Sequence, residues 1–306
     1  MFFKENLFVL LVAEYFSDSF MPGLKGSEYM PVIKYPILNN MKRNLLIVIL
    51  LISFISINCR HNTEFSLTDL HIHIKGGFTI EDAVLKSKKE NIAYGLVTNC
   101  GVGFPVHSDS QIDSVILSLK NYPQFFIGMQ AEGREWLNNF SKESMNKFDY
   151  VFTDGMTFTD EKGRRNRIWI KEETWIDDEQ QFMDYLVNTI VKILNSEPIN
   201  IYVNPTYLPD RMNNRYDAFW TTERMDKVIK AAKEKNIAIE INNRYRIPSF
   251  TFISRAKEAG VKFTVGTNNR DSDFSGAEYA REAIKKCNLT QNDFFQPVNK
   301  RQRGKL

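Results

Sequence analysis

Short apolar runs rich in β-branched residues alternate with longer amphipathic segments along the chain from residue 67 onward. Such runs predict buried parallel strands, and the segments between them carry the 3.6-residue period of crossover helices. Seven strands are predicted in this way: LTDLHIH, AYGLVTN, QFFIGMQAE, DYVFTD, NIYVN, IAIEIN and KFTVGT. Strands and helices that alternate in series predict either a closed barrel or an open, doubly wound sheet.

Two of the predicted helices have recognisable sequence features. In TIEDAVLKSKKEN, Thr79 is the predicted N-cap and acidic residues follow it, and TTERMDKVIKAAKEKN carries Lys and Arg along its exposed face. The segment 155–177, GMTFTDEKGRRNRIWIKEETWID, interrupts the alternation and is predicted to be extended or looped. Its three arginines precede Trp169, which makes the segment a candidate lid over a barrel mouth.

Polar residues stand at the end of every predicted strand. In chain order they are His71 and His73, Asn99 and Cys100, Glu132, Asp154, Asn204, Glu240 and Asn242, and Asn268 and Asn269. In a closed barrel the C-terminal ends of all strands meet at one rim, whereas in an open sheet they are spread along an edge. Polar residues at every strand end therefore favour the barrel.

His71 and His73 form the clearest metal-binding pattern in the chain. Side chains alternate along a strand, so both imidazoles point to the same side, which at a barrel mouth is inward. Glu132 and Asp154 are predicted at comparable depth, and the four residues together suit one divalent ion, Zn²⁺, Mn²⁺ or Fe²⁺. The alternative is that the histidines only hydrogen-bond within a polar core.

The stretch DLHIHIKGGFTIEDAVLKSKKENIAYGLVTN resembles the opening of the polymerase and histidinol phosphatase (PHP) family, whose members begin with D-x-H-x-H. GMQAEG, which contains Glu132, and FDYVFTDGM are similar to later segments of that family, and the resemblance extends over residues 67 to about 285. It implies a distorted (β/α)7 TIM-like α/β barrel that hydrolyses phosphoesters with up to three metal ions.

Several metal-ligand motifs of the family are replaced in this chain. The family has T-D-H, a later histidine, G-H-P and S-D-x-H. The corresponding positions here carry Thr98-Asn99-Cys100, Met156, Val203-Asn204-Pro205 and Thr267-Asn268-Asn269-Arg270. The resemblance therefore implies either a single remaining ion or a pocket converted to metal-free recognition.

Amide and cationic side chains accompany the strand ends. Asparagine amides bind hydroxyls and carbonyls, and guanidinium forks match phosphate, sulfate or carboxylate, so an anionic, polyhydroxylated substrate such as a small molecule or glycan is expected. For each asparagine taken singly, a role in a turn or helix cap is the alternative. The predicted substrate-binding residues are Lys75, Asn99, Asn204, Arg164, Arg165, Glu240, Asn242 and Asn268.

In the hydrolase hypothesis, the ion held by the two histidines and Glu132 activates a water molecule for attack on a phosphoryl or acyl centre. Asp154 is then the fourth ligand or the general base, and Asp69 orients His71. Arg134 and Arg270 are predicted to stabilise negative charge in the transition state.

Two other classes of protein remain open from the sequence. The first is a barrel that has lost catalysis and binds a glycan or metabolite at the cell surface, and the second is a purely structural envelope protein. A thiol nucleophile at Cys100 with His107 as its base is a further chemical alternative, which requires a depressed thiol pKa.

The N-terminal region has a secretory pattern. MKRNLLIVILLISFISINC, which begins at Met41, has a basic start, an apolar core and then Cys59, as in bacterial lipoproteins whose cysteine is acylated, although Asn58 replaces the usual small residue. An exported, membrane-anchored protein is expected, with an uncleaved signal anchor as the alternative. The predicted organisation is an upstream extension over 1–40, a signal segment over 41–59, a linker over 60–66, the barrel over 67–290 and a basic tail over 291–306.

Composition and charge narrow the remaining choices. The chain is 43% hydrophobic and 25% charged, which is typical of a globular protein. The formal net charge of +3 comes partly from the terminal KRQRGKL and gives no case for nucleic-acid binding. Three cysteines do not form a disulfide framework, although Cys100 and Cys287 are a possible pair.

Overall fold

A closed barrel of parallel strands forms the centre of the computed structural model, which describes residues 65–274 and 276–301. The strands are β1 Leu67–His73, β2 Ile92–Cys100, β3 Phe126–Ala131, β4 Tyr150–Thr153, β5 Thr157–Thr159, β6 Arg165–Arg167, β7 Ile201–Tyr202, β8 Ala238–Asn242 and β9 Phe263–Gly266. Their order around the barrel is β1-β2-β3-β4-β7-β8-β9, while β5 and β6 form a separate antiparallel hairpin. The barrel predicted from the sequence is confirmed, and the open sheet is excluded.

Helices alternate with the barrel strands along the chain. Thr79 caps the first helix in a capping box, because its hydroxyl accepts from the Asp82 N–H while the Asp82 carboxylate accepts from the Thr79 N–H, as its sequence position predicts. The helices are α1 Ile80–Glu90, α2 Asp109–Ser118, α3 Lys142–Met145, α4 Glu179–Ser196, α5 Asp210–Asn213, α6 Tyr216–Phe219, α7 Thr222–Glu234, α8 Phe250–Glu258 and α9 Glu278–Lys286. Single 3₁₀ turns occur at Trp136–Asn138, Lys171–Glu173 and Gln291–Asp293.

The interior of the barrel is filled by aromatic and aliphatic side chains. The hydroxyl of Tyr150 donates to the Leu70 carbonyl at 2.7 Å. Gly95 and Gly128 leave the space for this ring, since a Cβ at either glycine would overlap it. The buried interior cluster consists of Leu70, Val97, Tyr150, Phe152, Ile201, Val203 and Ala238. The barrel is therefore a packed core below its mouth and not a channel.

Strand β1 departs from regular alternation at one point. Its register against β2 shifts between Asp69 and Ile72, as in a β-bulge. As a result, Leu70 and His71 both face the interior: Leu70 packs in the interior cluster, and the His71 ring lies 4.6 Å from that of Phe152. The bulge therefore sets where the first histidine enters the barrel.

The segment that follows the last helix packs against the end of the barrel at which the strands begin. The Asn299 amide donates to the Phe125 carbonyl at 3.2 Å, just before β3, and the Lys300 N–H donates to Asp149 just before β4. Arg301 donates to the Leu119 carbonyl at 2.6 Å. Part of the predicted basic tail thus covers the barrel end opposite the mouth.

The segments predicted to direct export lie outside the described residues. These are the extension over 1–40 and the signal segment with Cys59. None of the helices within 65–274 and 276–301 is long and apolar enough to cross a bilayer. Cys100 and Cys287 are both buried and free, so they do not form a disulfide in this structure.

Candidate functional site

The His71 ring lies at the centre of the C-terminal end of the barrel and is 1% exposed. Its Nδ1 is 2.6 Å from Glu240 Oε1 on β8, and its Nε2 is 3.3 Å from Gln130 Oε1 on β3. Asp69, predicted to orient this histidine, holds its backbone: one carboxylate oxygen accepts from the His71 N–H and from the Thr267 N–H, each at 3.1 Å. The ring itself is oriented by Glu240 and Gln130.

Glu240 is fully buried, and its carboxylate accepts hydrogen bonds from several donors. Besides His71, its carboxylate accepts from the Asn204 N–H at 2.8 Å and from the Asn242 amide at 2.9 Å. Gly266 on the adjacent β9 provides the necessary space, because a Cβ there would overlap the carboxylate. Glu240, predicted to bind substrate, is therefore a structural centre of the site.

The asparagines predicted to bind substrate are held in a chain of amide hydrogen bonds. Asn242 and Asn268 both donate to Asn204 Oδ1, at 3.0 and 3.2 Å, and Asn204 in turn donates to Asp154 at 3.0 Å. Asn204 and Asn268 have φ values of 49° and 50°, a left-handed conformation that asparagine tolerates. The structure thus brings these strand ends together, and Asn204 also begins a turn, in which its carbonyl accepts from the Tyr207 N–H at 3.2 Å.

Glu132 and Asp154 form a buried acidic pair beside this series of amide hydrogen bonds. Asn99 donates to Glu132 Oε1 at 2.6 Å, and the Met156 N–H donates to Asp154 at 3.0 Å. Burial, and then the charge of Asp154, raises the pKa of Glu132 to about 8. Burial also raises the pKa of Asp154, against the lowering effect of its hydrogen bonds from Met156 and Asn204. The pair therefore favours retention of a proton near neutral pH.

His73 lies in a different electrostatic environment from His71, although the two ring centroids are only 5.1 Å apart. Burial lowers the pKa of His73 well below its ordinary value, and the positive charges of His71, Lys75 and Arg244 lower it further. Asn269 fixes the strand here by accepting from the His73 N–H at 2.7 Å and donating to its carbonyl at 2.9 Å. His73 thus faces the cations of the mouth.

These cations form a group that we call the cationic rim: Lys75 after β1, Arg244 after β8 and Arg270 after β9. Burial lowers the pKa of Lys75, and the charges of Arg244 and Arg270 lower it further, opposed by Glu132. Arg244 lies over the ring of Tyr245, 4.8 Å from its centroid, and that ring contacts Tyr207 edge to face at 4.8 Å. The rim therefore combines cationic and aromatic surfaces.

Sequence reasoning missed the role of one of these residues, Gln130. It lies inside β3, where a polar side chain in an apolar strand is the available signal of an inward contact. Arg244 and Tyr245 directly follow the predicted strand IAIEIN, and the pattern of strand ends predicts both near the mouth, among other loop cations and aromatic residues.

Arg134 follows β3 as predicted, but its guanidinium is occupied by protein groups. It pairs with Glu197 Oε1 at 2.8 Å and donates to the Thr153 hydroxyl at 2.8 Å. Trp136 donates to the other oxygen of Glu197 at 2.7 Å. These contacts fix Arg134 against the end of α4, whereas Arg270, its predicted partner in charge stabilisation, lies in the cationic rim.

Arg164 and Arg165 of the 155–177 segment are engaged in ion pairs. Arg164 pairs with Asp160 at 2.7 Å and with Asp177 at 2.8 Å, and Arg165 pairs with Glu135 at 3.3 Å. The segment folds into the β5–β6 hairpin and a 3₁₀ turn. Arg164 thus pairs within the segment and Arg165 pairs with the loop after β3, and the structure does not bring them into the cationic rim.

The thiol alternative finds no support in the structure. Burial, and then the charge of Glu132, raises the pKa of Cys100 to about 12, and its Sγ is directed at the Thr98 carbonyl at 3.3 Å. His107 is exposed and contacts the Phe104 carbonyl. A protonated, buried thiol without a base is not a nucleophile.

The predicted set of four metal ligands is not assembled as an ion site. Across 65–274 and 276–301, no group of three or more His, Cys, Asp or Glu side chains is arranged to hold an ion. Both ring nitrogens of His71 are engaged by protein side chains, Nδ1 by Glu240 and Nε2 by Gln130. Glu132 and Asp154 are each bound by an amide, and His73 lies among cations. In this arrangement, the donor set does not fit a divalent ion.

Comparison with known proteins supports the barrel. No protein-family model and no curated protein sequence matches the chain. The structure is similar to that of histidinol phosphate phosphatase from Lactococcus lactis subsp. lactis, solved with zinc, L-histidinol and phosphate, with 14% identity over 74% of this chain and 95% of that chain, at a TM-score of 0.50. At this identity, the likeness shows a PHP-like fold alone.

Two further similarities are too loose to support any conclusion about this chain. One is to a chain of an archaeal ribonuclease P complex with mature tRNA, with 13% identity over 72% of this chain and 88% of that chain, at a TM-score of 0.33. The other is to a β-mannanase from Streptomyces thermolilacinus, with 12% identity over 74% of this chain and 77% of that chain, at a TM-score of 0.32.

The raised pKa of Glu132 predicts a pH-dependent stability. The folded protein holds this proton up to about pH 8, whereas the unfolded chain releases it near the ordinary value of 4.5, so the free energy of unfolding falls as the pH rises through this range. Glu132→Gln removes the titration. We therefore expect the free energy of unfolding of the variant, relative to that of the wild type, to increase by about 1 kcal/mol or more from pH 5 to pH 8. Urea unfolding at each pH measures the difference.

Glu161→Gln, at an exposed position of the insertion, is the matched control and is expected to follow the wild-type pH profile. A Glu132→Gln profile that runs parallel to the wild type throughout would contradict the protonation of Glu132 at neutral pH.

Proposed function

We propose that the barrel mouth binds an anionic, polyhydroxylated small molecule or glycan fragment. The observation that carries this proposal is the contact between the cationic rim and a buried polar floor, since Arg244 donates to the Asn268 carbonyl at 3.4 Å. We use the name floor for the buried polar residues at the strand ends: His71, His73, Glu132, Asp154, Asn204, Glu240, Asn242 and Asn268. The rim supplies positive charge for an anionic group, and the floor supplies directional hydrogen bonds for hydroxyls. A concave site with few, fixed polar groups is typical of small-molecule recognition.

Part of the floor's hydrogen-bonding capacity is open to a ligand. Within the described part of the chain, no residue hydrogen-bonds Glu132 Oε2, Asn268 Oδ1 or the ring nitrogens of His73. These atoms are not among the buried polar atoms without a partner, which are Arg134 Nε, Asn299 Oδ1 and Arg301 Nε. They therefore have access to solvent, and hydroxyl groups of a ligand are suitable partners for them.

The aromatic rings beside the rim are suited to the carbon skeleton of such a ligand. Tyr207 and Tyr245 are half-buried and meet edge to face. An aromatic face covers the apolar C–H face of a sugar ring while the phenol hydroxyl remains near water. This arrangement favours a polyhydroxylated ring over a bare inorganic anion as the complete ligand.

Metal-dependent phosphoester hydrolysis is the second candidate function. The observation that favours it is the shared barrel fold with a phosphatase solved with zinc and phosphate. In this chain, ligation by His71 requires that its ring lose the contact with Glu240 or with Gln130. A bound divalent ion would supply a water of lowered pKa as the attacking group.

Ligand binding tests the first proposal directly. We expect a hexose phosphate to raise the thermal unfolding temperature of the purified chain and to bind more tightly than both the unphosphorylated hexose and inorganic phosphate, because rim and floor contribute together. Asn268→Ala should weaken hexose phosphate binding about fivefold or more, since it removes one of the open floor acceptors. Equal affinity for the phosphate ion and the hexose phosphate would contradict the proposed floor.

Metal content separates the two candidate functions. We expect protein purified without chelator to contain no stoichiometric zinc, manganese or iron, because His71 is held by Glu240 and Gln130. Elemental analysis makes the measurement, and a His71→Ala, His73→Ala double variant is the control for nonspecific ions. About one ion per chain that is absent from the double variant would favour the hydrolase.

We also propose that the chain is exported and anchored to a membrane through acylated Cys59, as its sequence pattern indicates. Cys59→Ser should then move the protein from the membrane fraction to the soluble fraction, while Cys287→Ser, in the folded domain, should leave it in the membrane. Mass spectrometry of the mature N-terminus should find lipid on Cys59. An unmodified cysteine in a membrane-bound chain would indicate the uncleaved anchor instead.

A further inference from the structure

We infer that the cationic rim is a subsite for a tetrahedral oxyanion, phosphate or sulfate, and that its three side chains carry the positive charge of the site in place of a metal ion. This inference rests on the proposed function, because it concerns the same mouth. It adds the chemical class of the anionic group and the source of the opposing charge.

The barrel order brings the three cations together. Lys75, Arg244 and Arg270 follow β1, β8 and β9, which are consecutive neighbours around the closed sheet. Gly76 strengthens this convergence: it has φ of +58°, and a Cβ at this position would overlap the Arg270 carbonyl and the Asp271 backbone. The loops after β1 and β9 are therefore in direct contact, which holds the Lys75 and Arg270 positions close to each other.

The rim cations lack the carboxylate partners that other cations of the chain have. Among the described residues, no carboxylate lies within ion-pair distance of Lys75, Arg244 or Arg270, whereas Arg164, Arg224 and Arg255 each pair with an aspartate. The guanidinium of Arg244 donates to the Asn268 carbonyl at 3.4 Å, which places it beside the floor. Three cations on one side of the mouth without carboxylate partners are stabilised by an anion that binds between them.

The geometry of the donors favours a tetrahedral anion. Two guanidinium groups present planar pairs of N–H donors and the ammonium adds a third point of contact, so the oxygens of a phosphate or sulfate group can be approached from three loops. A carboxylate has only two oxygens in one plane and satisfies fewer of these donors. The weaker hydration of guanidinium also favours such contacts at a partly buried site.

The same charges oppose a divalent ion at the mouth. His73, one of the predicted ligands, lies two residues before Lys75, and its backbone is bonded to Asn269, whose neighbour Asn268 accepts from Arg244. A divalent ion coordinated by His73 would therefore lie near cationic side chains that repel it. Positive charge for an anionic ligand can come from a metal ion or from cationic side chains, and in this chain the cationic rim is the source that the structure contains.

Isothermal titration of the full chain with inorganic phosphate, sulfate and acetate tests the subsite without the rest of a ligand. We expect phosphate and sulfate to bind at least about tenfold more tightly than acetate, and added EDTA to leave these affinities unchanged. Arg244→Gln and Arg270→Gln should each weaken phosphate binding about tenfold or more. Arg281→Gln, an exposed change on α9, is the matched control and should have no effect.

Loss of phosphate binding in EDTA with recovery on addition of Mn²⁺ or Zn²⁺ would overturn the inference, since a metal would then carry the charge. Unchanged binding by both rim variants, with unfolding temperatures equal to the wild type, would also overturn it. A hexose phosphate distinguishes this failure from failure of the proposed function. If phosphate binds and the hexose adds no affinity, the anion subsite is supported and the polyhydroxylated ligand is contradicted. If hexose phosphate binds and the rim variants do not weaken it, the polyhydroxylated ligand is supported and the anion subsite is contradicted.

Discussion

The seam between β1 and β9 is the constraint on which the rest of the structure depends. Regular pairing there is limited to Asp69 with Val265, and further hydrogen bonds complete the closure. Asp69 accepts from the Thr267 N–H and hydroxyl, and the His71 carbonyl accepts from the Asn268 N–H at 2.8 Å. Burial raises the pKa of Asp69 to about 6, because the ionised form is costly away from water. The hydrogen bonds from Thr267 and from the His71 N–H act in the opposite direction and offset part of that cost. Closure at this seam brings the ends of the first and last strands into one site.

The buried carboxylates of the mouth explain the asparagines at its strand ends. Removing a carboxylate from water is costly unless hydrogen bonds replace the lost hydration. Asn99 and Asn204 supply such donors to Glu132 and Asp154, and His71 and Asn242 supply them to Glu240. The amides therefore donate hydrogen bonds that stabilise the buried carboxylates, and only the amide atoms outside these bonds are available to a ligand.

Periodicity and strand-end polarity were sufficient to predict the barrel, its seven strands and the Thr79 cap, because these follow from local pattern. The partners of each polar residue were not predictable in the same way. The contact of His71 with Glu240 joins residues 169 positions apart and depends on the register of nonadjacent strands and on the bulge in β1. Arg134 and Arg244 both follow strands, yet only the position of Glu197 beside Arg134 distinguishes a structural arginine from one at the rim.

The floor and the cationic rim differ in how extensively their side chains are hydrogen-bonded to the rest of the protein. The floor is cross-linked: His71, Glu240 and the asparagines each hold more than one neighbour, so a change in one displaces several. The rim cations lie on loops with fewer contacts, where a ligand can supply the missing partners. A rigid floor fixes orientation at little entropic cost, while the charged rim contributes attraction. A chemical role for His71 or Glu240 would require them to leave their hydrogen bonds, whereas Glu132 Oε2 and the ring nitrogens of His73 are already open to a ligand. The proposed recognition of an anionic ligand therefore requires no rearrangement of the hydrogen bonds that hold His71 and Glu240.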